Sequence, residues 1–283
     1  MDEAGFIAAL RGLATDPAAR GLADDAAVLG DLVFTHDMIV EGVHFLPGDP
    51  PGDVAWKLLA VNLSDLAAKG ATPIGCLIGY PLGDGAWDHG FVAGLGEALA
   101  AFGVALLGGD TVRHQGPRSL GLTAIGRAPI APSRSGAQPG DRLWVTGRIG
   151  AAGIGLELAR TGRDGPELAA YRRPQPRLAE GRLLAPIVHA MMDVSDGLLI
   201  DAARMAAASG LGVAIALDLV PVCGDPLGAV TAGDDYELLF ALPDGIDPPV
   251  AATAIGRFAA GAGLTLSDHG RAVPLPDRLG WSH

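Results

Sequence analysis

The stretch that most constrains the fold is Met191-Met192-Asp193-Val194-Ser195-Asp196-Gly197-Leu198-Leu199-Ile200-Asp201. An apolar run ends in Asp-x-Ser-Asp-Gly and a helical pattern follows. The segment therefore reads as a buried strand, a tight turn and a helix N-terminus. A helix start offers backbone N–H groups to a phosphate. The carboxylates of Asp193 and Asp196 would repel that phosphate unless a hard cation lies between them. Mg²⁺, held by one or two carboxylates plus phosphate oxygens, fills that role. Taken alone, Ser195 or Asp196 also reads as a helix cap.

The rest of the chain bears on that choice. Its 283 residues are enough for two domains, and with 49% apolar residues a sizeable core is available. Charges and prolines interrupt every apolar run, so neither a membrane span nor a signal peptide is expected. Cys76 and Cys223 stand in unrelated contexts, which suits a reducing cytoplasm and argues against a disulfide framework or a zinc site. A net charge of −12 argues against nucleic acid as a partner. Aspartate far outnumbers glutamate, and the only lysines are Lys57 and Lys69. Aspartate is a short, hard-cation ligand, so its excess in loops is what a site for several Mg²⁺ ions needs.

In chain order, helices are expected at 3–14, 53–69 and 86–102, and strands at 32–40, 74–80, 104–108 and 119–128. Asp37 falls inside an apolar strand, where a carboxylate must be paired, metal-bound or at a strand end. Asn62, Asp65 and Lys69 share one helix face, and spacing alone favours a solvated Asp65–Lys69 pair. Gly108-Gly109-Asp110-Thr111 reads either as a close approach to a ligand or as a tight turn. The Pro-, Ser- and Gly-rich segment 129–139 marks a boundary, giving domains 1–137 and 138–283. Beyond it, a strand at 142–146 leads into Gly147, Gly150, Gly153 and Gly155, whose spacing is not that of a dinucleotide loop. Helices follow at 178–188, 197–209 and 248–254, with strands at 212–217, 236–242, 264–267 and 271–275. The loose alternation, with an antiparallel-looking run over 104–128, predicts an α+β fold of mixed layers. Acidic turns recur at 24–25, 37, 110, 193–196 and 234–235, which points to one shared cation site.

Taken together these segments resemble thiamine-monophosphate kinase, in the superfamily of aminoimidazole ribonucleotide synthetase. The likeness runs in order through Asp24-Asp25-Ala26, Thr35-His36-Asp37 to Gly42-Val43-His44-Phe45, and Asn62-Leu63-Ser64-Asp65-Leu66-Ala67-Ala68. It continues through Gly108-Gly109-Asp110-Thr111, Ser133-Arg134-Ser135-Gly136-Ala137, Asp193 to Leu198, and Asp234-Asp235-Tyr236-Glu237-Leu238. The resemblance implies Mg²⁺ ligands at Asp25, Asp37, Asp65, Asp110, Asp193 and Asp196, with Thr35 and His36 close to metal. It implies ATP contacts at Gly109, Asp110, Arg134 and Ser195, and a thiamine-phosphate pocket lined by His44, Asp234 and Trp281. A homodimer through the N-terminal domain, and a nucleotide site between the domains, follow from the same likeness. Two positions depart from the family: His36 stands where relatives carry Thr or Ser, and Asp234 where they carry Glu.

The implied reaction is phosphorylation of thiamine monophosphate by ATP. No Gly-x-x-x-x-Gly-Lys-Ser/Thr loop is present, so a P-loop mechanism is excluded. Two other readings stay open: a different ATP-dependent enzyme of the superfamily, or a non-catalytic nucleotide- or metal-binding scaffold. The N-terminal region lacks the reactive cysteine of a selenophosphate synthetase.

Overall fold

The architecture comes from a computed structural model, which describes residues 3–113 and 115–282. Its central element is a helix buried on nearly every side. After helix α1 (Glu3–Arg11), strands β1 (Ala27–Leu29) and β2 (Leu32–Val40) form a hairpin, followed by helix α2 (Pro51–Ala68). Fourteen of the eighteen residues of α2 are buried, including Lys57, Asn62 and Ser64. A helix apolar all round belongs between layers, and its buried polar groups need partners there.

Strand β3 (Thr72–Leu82), helix α3 (Gly85–Phe102), strand β4 (Ala105–Arg113) and strand β5 (Ser119–Arg127) complete the first half. The sheet order is β1-β2-β5-β3-β4. The antiparallel run expected over 104–128 does not form. The crossover through α3 returns β4 parallel to β3, and β5 inserts antiparallel between β2 and β3. Strand β4 also runs past 108, through Gly108-Gly109-Asp110-Thr111. A side chain at Gly109 would collide with the Ile78 carbonyl of the neighbouring strand. Helices α2 and α3 cover one face of this sheet. The other face leaves Met38, Leu77, Leu107 and Val112 exposed.

The second half contains β6 (Arg142–Thr146), α4 (Ala151–Thr161), α5 (Leu168–Arg172), α6 (Leu178–Leu184), β7 (Ala190–Asp193) and α7 (Leu198–Ala208). It continues with β8 (Gly212–Ala216), α8 (Pro226–Ala232), β9 (Leu238–Leu242), β10 (Ala252–Ala259), β11 (Gly263–Asp268) and β12 (Arg271–Val273). Its seven strands are ordered β12-β11-β8-β10-β6-β9-β7, with only β8 and β11 parallel. The helix expected at 248–254 does not form: 248–251 are irregular and residues 252–254 open β10. Pairing with β6 and β8 buries Ile255 and Phe258 in the core, and outweighs the helix propensity of the alanines. Each half has its own apolar core. A third cluster joins them, setting Ala67 and Ala68 of α2 against Trp144, Leu184, Met191 and Phe240. No helix among the described residues is long and apolar enough to cross a membrane.

Candidate active site

Alternation along β2 decides which of its polar residues meet. Thr35 and Asp37 face α2, with Val33 and Ile39, so they point into the seam between the halves. Asp65 of α2 comes from the other side and accepts a hydrogen bond from the Thr35 hydroxyl. Asn62 ties the two elements together: its Oδ1 accepts the Asp37 N–H at 3.0 Å, while its Nδ2 donates to the Leu58 carbonyl at 2.9 Å. Asp193, at the end of β7, accepts the Ser64 hydroxyl at 2.6 Å. Carboxylate oxygens of Asp25, Asp65 and Asp193 all lie within 4.8 Å of one another. Both halves of the chain therefore contribute to one buried acidic cluster.

The cations beside this cluster serve only part of it. Lys69 is fully buried and pairs with Asp24 and with Asp25, whose Oδ2 is 2.7 Å from its Nζ. Arg134 pairs with Asp25 from the other side, and Arg20 with Asp24. The solvated Asp65–Lys69 pair suggested by spacing is thus absent, because both side chains turn inward to different partners. Burial alone would raise Asp25, but Lys69 and Arg134 outweigh it and hold the carboxyl at about 2. Asp37 has no such help: burial, then Asp25 and Asp196, push it to about 6. Burial and the Asp25 charge raise Asp193 to about 8. Asp65 is raised well above the usual carboxylate range by burial and by Asp37, Asp193 and Asp25.

The turn after β7 is built differently from its sequence reading. Its backbone N–H groups are not free for a phosphate. The Asp201 carboxylate accepts from Ser195, Asp196 and Gly197 at 3.1, 3.1 and 3.2 Å. Neither Ser195 nor Asp196 caps the helix through its side chain. Arg204 pairs with both Asp201 and Asp196. In the same way Asp235 accepts the Gly150 N–H at 2.9 Å and plugs the glycine-rich start of α4. Both loops therefore have these backbone donors satisfied within the protein.

A cleft of 260 Å³ opens beside the cluster, lined by Asp37, Asp65, Asp193, Ser195 and Asp196 at one end and by His44, Asp234 and Trp281 at the other. Among the described residues, Arg160 is the one arginine on its wall. Trp281 donates its backbone N–H to the Asp196 carbonyl at 2.8 Å, which fixes the chain's last turn over the cleft. Most of the residues singled out from sequence therefore gather here, with Thr35 and Arg134 bonded to the cluster. His36, Gly109 and Asp110 do not. His36 points from the opposite face of β2, with Nδ1 2.9 Å from the Thr123 hydroxyl. Asp110 aligns through Gly79 and Gly121 with Met38, on that same helix-free face. It sits three strands from β2, about 14 Å by ordinary strand spacing.

Sequence reasoning gave no site role to Lys57, Lys69, Asp201, Arg160 and Tyr236. The signal for two of them was their scarcity: the chain's only lysines are both buried ion-pair partners at the site.

Comparison with known proteins identifies the family. Residues 23–128 match the N-terminal domain of AIR synthase related proteins, and residues 138–273 match the C-terminal domain. A curated thiamine-monophosphate kinase from Caulobacter vibrioides is 41% identical, over 95% of this chain and 86% of the relative. The chain belongs to the thiamine-monophosphate kinase family. Its members are phosphotransferases, and solved structures in the family share the whole fold. A structure described as AaThiL complexed with AMPPCP and TMP superposes with a TM-score of 0.88 at 28% identity, covering 100% of this chain and 97% of the other. The kinase from Stenotrophomonas maltophilia gives 0.76 at 35% identity, covering 95% and 96%.

Proposed function

We propose that this protein transfers the γ-phosphoryl group of ATP directly to the phosphate of thiamine monophosphate, giving thiamine diphosphate and ADP. The observation that carries the reading is the buried cluster of Asp25, Asp37, Asp65 and Asp193, uncompensated on one side and opening into a cleft shared by both halves. An oxygen of the acceptor phosphate attacks the γ-phosphorus in line, the bond to the β,γ-bridging oxygen breaks, and ADP departs. The acceptor's second pKa is about 6, so it is already ionised near neutral pH and needs no general base.

The donors present fit Mg²⁺: crowded carboxylate oxygens whose mutual repulsion only added positive charge can relieve. Asp25, Asp37, Asp65, Asp193 and Asp196 would hold it, with Thr35 beside them. When bound, Mg²⁺ neutralises and aligns the two polyphosphates. The protein's own residues do the rest. Arg134 and Ser195 contact the nucleotide, and His44, Asp234 and Trp281 hold the thiamine portion. The packed seam between the halves keeps water from the reacting phosphates. The family's metal and nucleotide roles for His36, Gly109 and Asp110 need a second copy of the chain. A homodimer formed on the exposed apolar face of the first sheet would carry Asp110 toward the partner's cluster. We assign the reaction to the cytoplasm, where ATP and two free thiols both belong. The division at 137/138 separates the two folding units.

A coupled assay with thiamine monophosphate and Mg-ATP tests the reaction: thiamine diphosphate should form. Its absence under excess Mg²⁺ would leave a different superfamily substrate or a scaffold role. Mixing inactive Asp110→Asn and Asp37→Asn chains tests the dimer. Partial recovery of activity is expected, because in a mixed dimer one of the two sites holds both native aspartates.

A further inference from the structure

We infer that Lys57 and Tyr236 are positioning residues that hold the substrate-side carboxylate of Asp234, and that Lys57 fixes its distance from His44. This rests on the functional reading above. Lys57 does not line the cleft, yet it touches both groups that do. Its Nζ lies 2.6 Å from Asp234 Oδ2 and donates to the His44 carbonyl at 2.9 Å. The Lys57 side chain is only 3% exposed, and its ammonium sits 4.2 Å above the Tyr171 ring. It rises from α2, the most buried helix of the molecule, so it has little room to move. The Tyr236 hydroxyl donates to Asp234 Oδ1 at 2.9 Å, so both carboxylate oxygens are held.

The backbone is held as firmly as the side chain. Asp234 and Tyr236 both adopt left-handed conformations, with φ of 62° and 52°. Such strain at non-glycine residues persists only where the surroundings impose it, and it gathers at functional sites. Here Asp234 donates its N–H to the Ser195 carbonyl at 2.7 Å and Tyr236 donates to Val194 at 2.8 Å. Those two acceptors belong to the acidic turn. The substrate end of the cleft is thus registered against the metal end through four residues. A carboxylate clamped at both oxygens cannot swing toward the cluster. The shorter Asp at this position keeps a fixed place because Lys57 reaches it.

Calorimetry on the full-length protein tests this, with thiamine monophosphate and a non-hydrolysable ATP analogue titrated separately. Wild-type protein that fails to bind thiamine monophosphate counts against the functional reading itself. If it binds, Tyr236→Phe should weaken thiamine monophosphate about 3- to 10-fold, the worth of one hydrogen bond, and leave the ATP analogue unmoved. Lys57→Met should weaken it by about 10- to 100-fold. KM for thiamine monophosphate should rise more than kcat falls in both variants. Tyr236→Phe added to Asp234→Ala should cost nothing further, because the clamped group is already gone. Should Lys57→Met not fold, Tyr236→Phe and that double variant decide alone. Unchanged thiamine monophosphate affinity in folded Tyr236→Phe, or equal loss for both ligands, overturns the inference.

Discussion

Two neighbouring sets of carboxylates are treated in opposite ways by the fold. Asp24 and Asp25 sit among Lys69, Arg20 and Arg134, and Asp25 is held at about 2. A few ångströms away, Asp37 and Asp193 are pushed up to about 6 and about 8, chiefly by burial and then by neighbouring aspartates. The first set is balanced within the protein. The second is left unbalanced, and nothing in folding requires that. A buried charge without a partner is costly, so its retention marks where a ligand's charge belongs.

The sharpest test of that contrast is Asp65→Asn. Turnover should fall on the order of 10³-fold, the scale of losing one electrostatic stabiliser. Thermal unfolding of the metal-free protein should meanwhile rise, since a repelling group is gone. A drop in that unfolding temperature would break the comparison. Lys69→Met should do the opposite on the balanced side. It leaves Asp24 with Arg20 alone and Asp25 with Arg134 alone, and should cost about 3–5 kcal/mol in denaturant unfolding.

A pH series comes next. Carboxyls raised above their ordinary value of 3.8 bind protons in the folded state that the unfolded chain has released. Their contribution is full below pH 3.8 and is lost as pH rises through about 6 for Asp37 and about 8 for Asp193. Asp25 runs the other way, stabilising above 3.8 and failing as pH falls toward about 2. Metal-free protein should therefore melt lower at pH 8 than at pH 5, by roughly 3–10 °C. Added Mg²⁺ should erase most of the difference. Calorimetric melts with chelator and with Mg²⁺ check both signs. The smallest effect lies at the far end of the cleft. His44→Ala should raise KM for thiamine monophosphate by about 3- to 10-fold, one hydrogen bond's worth, and move that for ATP less.

Much of this was legible in the sequence, because Asp24, Asp25, Asp196, Asp234 and Asp235 lie on loops beside strands and strand periodicity is strong. Strand 32–40 matches in full, and the same alternation already separates Thr35 and Asp37 from His36. Less legible was anything set by distant pairing. Residues 248–254 read as helical, and it takes pairing with two other strands to draw 252–259 into the sheet. Lys69 looks like a surface partner of Asp65 until the Asp24–Asp25 loop folds over it. Asp201 carries no local sign that its carboxylate will fill the turn five residues before it.

The seam under the cleft has a mechanical meaning. Gly181 lies where any side chain would strike the Ala67 carbonyl, and Gly70 where one would strike Ala185. Main chain rests on main chain there, with the Lys69 ammonium 3.3 Å from the Met191 carbonyl as a rivet. Two lobes joined in this way have no hinge at their floor, so they do not close like jaws. The floor of the cleft is therefore set by folding, before any ligand arrives.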